Sequence, residues 1–203
     1  MVKKVGIMGG TFNPIHVGHL MLAENAYAYC NLDEIWFMPS ADPPHKTETK
    51  VLEYAHRSRM TELAIADIPY FKKTDFEAER HEPSYTAETL RLLHTKYPDV
   101  DFYFIMGADS LFQIETWYEP AKVMEQAALL VAVRDHHSKE EMKKQMDYLI
   151  DKYHARIYLV DMPGIDLSSN MIRQRASNNE TIRFFVTESV RQYILEHNLY
   201  DKE

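Results

Sequence analysis

Gly9-Gly10-Thr11-Phe12-Asn13-Pro14-Ile15-His16-Val17-Gly18-His19-Leu20 is the stretch that decides the fold. Just before it, Val5 to Met8 is a short apolar run of strand character, and the two glycines at its end let the backbone turn sharply and approach a ligand. Just after it, Leu20, Ala23, Ala26 and Tyr27 recur at helical spacing and predict a helix from Gly18 to Tyr29. A helix opening directly after a glycine turn aims its unpaired N–H groups and its positive dipole end into that turn. Such a place binds anions. His16 ends the loop and His19 sits in the first helical turn, so both can face a bound phosphate. Asn13-Pro14 is a turn signal that fixes the loop between them.

Better-known glycine and histidine motifs do not fit. The glycines read G-x-x-G-G, not G-x-G-x-x-G, and no Gly-Lys-Ser/Thr follows to make a Walker A loop. The two histidines lack the i, i+4 spacing and intervening glutamate of a metalloprotease helix, so no protein-held metal is expected.

Outward from this block, strands and helices alternate. Glu34 to Met38 predicts a second strand, ended by Pro39, and Ala41 to Lys50 a polar, proline-rich loop expected to close over substrate. Tyr54 to Ala66 has helical periodicity, Phe71 to Arg80 reads as extended, and Thr86 to Tyr97 as a helix stopped by Pro98. Asp101 to Met106 and Ala127 to Val133 are further strands, then a polar helix from Ser138 to Tyr153 and a strand from Arg156 to Val160. Helices over Ser169 to Arg175 and Glu188 to His197 make a small C-terminal helical part, about residues 166–203, of one domain spanning 1–203. This alternation predicts an α/β fold, a doubly wound parallel sheet with helices on both faces. Ligands bind such sheets beyond the carboxyl ends of the strands. Gly9-Gly10, Pro39 to Lys46 and Gly107-Ala108-Asp109 all fall there.

Composition narrows the function classes. The 203 residues carry 31 acidic and 23 basic side chains, a formal charge of −8, which argues against a protein built to grip nucleic acid. Cys30 is the single cysteine, which excludes an internal disulfide and a cysteine-rich zinc site. The basic N-terminus has too short an apolar run for a signal peptide, and no stretch approaches the roughly 18 apolar residues of a membrane span. A cytoplasmic protein without membrane contact is expected.

The decisive block closely resembles the G-G-[ST]-F-[DN]-P-x-H-x-G-H signature of the nucleotidyltransferase superfamily, here with His16-Val17-Gly18-His19 as its histidine motif. The resemblance implies a Rossmann-like sheet and an ATP site built from Gly9, Gly10, Thr11, Phe12, His16, Gly18 and His19. Asp166 to Arg173 is similar to the superfamily's I-S-S-T-x-I-R motif, departing at Leu167 and Asn170. There a serine, Ser168 or Ser169, would cap a helix and Arg173 would add a fixed positive charge.

Three further segments resemble the nicotinate-nucleotide adenylyltransferases of bacteria. These are Pro43-Pro44-His45-Lys46, Ser84-Tyr85-Thr86 with Thr89-Leu90, and Gly107-Ala108-Asp109 with Trp117. The implied reaction joins AMP from ATP to nicotinate mononucleotide, with Mg²⁺ riding on the ATP phosphates. His16, His19, Lys46 and Arg173 would neutralise charge, and Gly107, Asp109, Ser168 and Ser169 would help to bind ATP. Lys46, Ser84, Tyr85, Thr86, Trp117, Tyr118 and Arg134 would meet the mononucleotide. A homodimer or larger assembly is implied as well. Nicotinamide mononucleotide or pantetheine phosphate as acceptor, or a nucleotide sensor without chemistry, are the alternatives.

Overall fold

In the computed structural model the described residues are 2–41, 51–80, 85–132, 138–161, 164 and 166–201. Six parallel strands form one sheet: β1 Lys3–Gly10, β2 Glu34–Pro39, β3 Phe71–Lys73, β4 Val100–Gly107, β5 Ala128–Ala132 and β6 Ile157–Val160. Their spatial order is β3-β2-β1-β4-β5-β6. The chain winds outward one way from β1 and the other way from β4, so the connections diverge between these two central strands. That is the switch point at which doubly wound sheets bind ligands. The fold is the Rossmann-like α/β architecture expected.

Among the described residues six helices lie between the strands and two follow β6: α1 Val17–Cys30, α2 Tyr54–Ile65, α3 Thr86–Lys96, α4 Ala108–Gln113, α5 Pro120–Gln126 and α6 Lys139–Tyr153, then α7 Ser169–Ser177 and α8 Glu188–Glu196. A single 3₁₀ turn, Ile114–Thr116, separates α4 from α5.

Strand side chains alternate between faces, and this sheet has a core on each. On one side Met8, Tyr103 and Ile105 pack with Leu22, Ala23 and Ala26 of α1, Met60 of α2, Ile172 of α7 and Val190 of α8. On the other, Val5, Ile7, Phe102 and Met106 pack with Leu90 of α3, Leu111 of α4, Val123 of α5 and Met142 of α6. Every residue of β5 is buried, as a parallel strand covered on both faces requires.

Local differences from the sequence reading have physical causes. The extended character expected over Phe71 to Arg80 persists only to Lys73, because β3 is an edge strand laddered to Ile35, Trp36 and Phe37 alone. Beyond it the chain turns, with Glu79 N–H donating to the Asp75 carbonyl at 3.0 Å. Helix α1 starts at Val17, one residue early. Helices α4 and α5 are additional. The first springs straight from the strand at Gly107, with no side chain bonding at its cap; the second opens on Pro120, a first-turn proline signal the sequence did contain.

Candidate active site

The loop from Gly10 to His16 lies between β1 and α1, at the switch point. Ile7 pairs with Phe104, so Gly10 and Gly107 each lie three residues further along neighbouring strands. Two glycine-ended strands therefore open side by side. A Cβ on Gly107 would meet nothing within 4 Å, and one on Gly9 only the Phe104 ring at 3.8 Å. Neither glycine is demanded by packing of the chain on itself; each leaves backbone open toward the crevice.

The histidines form one unit. His16 caps α1 with extended backbone (φ −145°, ψ 169°) and is buried, while His19 is half-buried. Their rings stack with centroids 3.7 Å apart and planes inclined by 20°, and Phe12 meets the His19 ring edge-on at 5.1 Å. The His16 backbone N–H donates to His19 Nδ1 at 3.2 Å. An accepting Nδ1 places the ring proton of His19 on Nε2, at the far side of the ring. His19 is thus set to donate a hydrogen bond through Nε2. Gly18 permits the stack, since a Cβ there would come within 3.1 Å of His16 Nδ1 and 3.2 Å of Cε1.

The loop's carbonyls are held by donors from distant segments. Ser40 N–H donates to the Gly10 carbonyl at 2.9 Å, Arg57 Nη1 to Thr11 at 2.8 Å, Arg173 Nη1 to Asn13 at 2.9 Å and Ser169 Oγ to Pro14 at 2.9 Å. In a trans peptide the N–H points away from the C=O of the same unit. Carbonyls drawn into the protein at Gly10, Thr11 and Pro14 thus turn the N–H groups of Thr11, Phe12 and Ile15 the other way. Asn13, itself buried, accepts on its side chain from Tyr200 Oη at 2.9 Å and from the Leu52 N–H at 3.4 Å. Burial pushes the Tyr200 phenol above its ordinary range, although the neighbouring charges of Arg173 and Arg57 pull it down. It stays protonated and donating.

Helix α7 joins the same loop. Ser168 is its N-cap and accepts from the Met171 N–H at 3.2 Å; Ser169 and Arg173 reach the loop as above. Asn170 accepts from Arg173 Nη2 at 3.1 Å, so this departure from the motif orients the guanidinium. Leu167 is buried near Gly18. The first-motif residues and the Ser168 to Arg173 residues thus meet in one place.

A second group lies on the opposite face of the sheet. Trp117 is half-buried and touches Phe104 edge-on at 5.9 Å, and the exposed Tyr85 and Tyr118 rings pack at 4.6 Å. Tyr85 caps α3, so the N–H groups of its first turn, beginning at Thr86, open beside this aromatic pair. Asp109 is exposed in the first turn of α4. Lys46, Ser84 and Arg134, with the 42–50 loop, lie outside the described residues. Among the described residues no group of three or more His, Cys, Asp or Glu could hold a metal, and no helix is long and apolar enough to cross a membrane.

Arg57 escaped the sequence reading. It occupies the apolar stripe of α2 with Met60, Thr61, Ala64 and Ile65, and a cation on such a stripe was the available signal.

Comparison with known proteins places the whole chain in a family. The cytidylyltransferase-like family profile matches residues 7–175. A protein of Lachnoclostridium phytofermentans named "Probable nicotinate-nucleotide adenylyltransferase" is 47% identical over 199 residues, covering 98% of this chain and 100% of that one. One of the same name from Clostridium botulinum, strain Alaska E43, is 41% identical over 202 residues and covers 100% of both chains. In fold, the chain superposes on the Plasmodium falciparum nicotinic acid mononucleotide adenylyltransferase complexed with NaAD, with a TM-score of 0.81 and 24% identity over 98% of this chain and 97% of that one. A cytidylyltransferase-like chain this similar to such relatives, end to end, belongs to the nicotinate-nucleotide adenylyltransferase family.

Proposed function

We propose that this protein transfers AMP from ATP to nicotinate mononucleotide, giving nicotinate adenine dinucleotide and pyrophosphate. The observation that carries the reading is the stacked His16–His19 pair at the start of α1, joined through the loop carbonyls to Ser169 and Arg173. The name shared by relatives at 41–47% identity supplies the substrates.

A 5′-phosphate oxygen of the mononucleotide attacks the α-phosphorus of ATP in line. A new P–O bond forms, the bond between the α-phosphorus and the bridging oxygen breaks, and pyrophosphate leaves with its electrons. The nucleophile is already anionic at neutral pH and needs no base, so catalysis is positioning and charge stabilisation. His19 Nε2–H, His16, the backbone of Gly9, Gly10, Thr11 and Phe12, and the α1 start at Gly18 face the triphosphate in this reading. Arg173 spends two of its five N–H donors on Asn13 and Asn170, which leaves others for phosphate. Ser168 and Ser169 present the start of α7, and Gly107 and Asp109 take the adenosine ribose.

The mononucleotide sits across the switch point. Its ring lies on Trp117 and Tyr118, its carboxylate takes N–H donors from the α3 start around Ser84, Tyr85 and Thr86, and Lys46 and Arg134 meet its phosphate. Mg²⁺ arrives bound to ATP as part of the substrate and keeps much of its own water. A cytoplasmic location and self-association into a dimer or larger assembly belong to the same reading.

Pyrophosphate release from MgATP, with nicotinate mononucleotide, nicotinamide mononucleotide and phosphopantetheine offered separately, tests the proposal. Release is expected with the nicotinate compound and far less with the amide, whose NH₂ brings a donor to a site of donors. Equal use of acid and amide refutes the carboxylate assignment; release with phosphopantetheine alone refutes the acceptor.

A further inference from the structure

Arg57 is only 1% exposed, yet its guanidinium makes three hydrogen bonds to main-chain carbonyls. Nη1 donates to Thr11 at 2.8 Å, Nη2 to Ala41 at 3.2 Å and Nε to Leu52 at 2.9 Å. Thr11 lies in the phosphate loop, Ala41 two residues beyond β2, and Leu52 on the approach to α2. Three backbones at the carboxyl edge of the sheet therefore end on one rigid, planar fork. The chain between Ala41 and Leu52 carries Lys46, the cation assigned to the acceptor phosphate.

A buried cation is costly unless hydrogen-bonded. An apolar side chain of similar volume often serves packing as well or better. What an apolar side chain cannot do is fix the spacing of three main-chain segments. An ammonium is a compact donor on a flexible stem and does not reproduce the planar fork.

We propose that Arg57 is a positioning residue that locks the phosphate loop at Thr11 to both borders of the Lys46 segment, so that the two reacting phosphates meet already aligned. The alignment claim rests on the adenylyl-transfer reading above; the mechanical coupling does not.

Kinetics and backbone amide exchange test it together. In folded Arg57→Met, kcat per folded molecule is expected to fall by up to about a hundredfold, the scale of a small misplacement of reacting groups. Arg57→Lys should recover only part of the loss. Without ligand, amides in 9–13 and 51–53 should exchange faster in either variant while those of β4 and β5 keep wild-type rates. Should Arg57→Met fail to fold, Arg57→Lys carries both measurements.

Wild-type kcat, KM and exchange in a folded variant would overturn the proposal. So would faster exchange spread evenly through β4 and β5, which marks general support of the fold. Wild-type protein that forms no dinucleotide would refute the reaction instead, and the exchange measurement would still decide the coupling.

Discussion

A neutral imidazole gives one hydrogen bond and accepts one, and the partner on one nitrogen settles what the other does. At His19 the main-chain N–H of His16 occupies Nδ1, so the proton is presented from Nε2. Donors fixed where negative charge develops are worth about two to three orders of magnitude in turnover. His19→Ala is therefore expected to keep its circular dichroism spectrum while kcat drops about a hundredfold or more. Near-normal turnover in that folded variant would remove His19 from the chemistry. The identity of this residue was legible in the sequence from its motif, but the direction of its ring hydrogen bonds was not, because that depends on a contact between its ring and the His16 main-chain N–H in the folded structure. Arg57 was hidden for a related reason: its three partners are carbonyls, which every residue has and no sequence pattern marks.

Elements add their own constraint at the edge of the sheet. Lys73, at the end of β3, donates to Asp75 at 2.8 and 2.6 Å and to Ser58 at 2.9 Å, while Tyr54 Oη donates to the same carboxylate at 2.5 Å. This cluster ties the short strand to the start of α2, the helix that carries Arg57. Burial pushes the Asp75 carboxyl up, but hydrogen bonds from Lys73 and Tyr54 and the Lys73 charge outweigh it, and the net shift is downward. A carboxyl depressed in the folded state contributes stability above its unfolded value, about 3.9, and loses it as pH falls through that value toward the folded one. Asp75→Asn should thus be less stable than wild type at pH 7, with the gap narrowing below about pH 4. Urea midpoints at pH 7 and pH 3 check this; parallel pH profiles for the two proteins would show that the cluster contributes no such linkage. From sequence, the boundaries of β2 and α6 were readable to within a residue because period and turn residues agree there, whereas β1, expected over Val5 to Met8, runs two residues further at each end. The lengths of β3 and α4 were not readable, since a three-residue edge ladder and a six-residue helix are too short for periodicity to show.

Over the whole molecule, residues near the C-terminal end of the chain return to the loop that follows β1. Tyr200, near the C-terminal end, donates to Asn13, whose own carbonyl is held by Arg173 and whose neighbour Thr11 is held by Arg57. Helix α8 and the residues after it pack on the same core as α1 and α2, through Val190, Ile194 and Leu199. The tail therefore supports the loop of residues 10–16 directly. Tyr200→Phe removes one hydrogen bond while keeping the ring, and should cost about 1 kcal/mol of stability. It would be seen as a lower urea midpoint at unchanged slope. An unaltered midpoint would mean that the Tyr200 hydroxyl contributes nothing to the hold on Asn13.

Two kinds of information separate cleanly here. The sequence by itself determined the alternation of strands and helices, the glycine turn that opens α1 and the family motif, because these depend on residues close together in the chain: a glycine pair after an apolar run, histidines three apart, a serine before a helix. The sheet order, the encounter of Ser169 and Arg173 with Asn13 and Pro14, the Arg57 fork and the Tyr200 tether were decided only by the tertiary structure. The contacts made to Thr11, Asn13 and Pro14 join residues 46 to 187 positions apart, and most of them end on backbone carbonyls. A main-chain acceptor leaves no mark in the sequence, so only folding reveals which side chain will hold it.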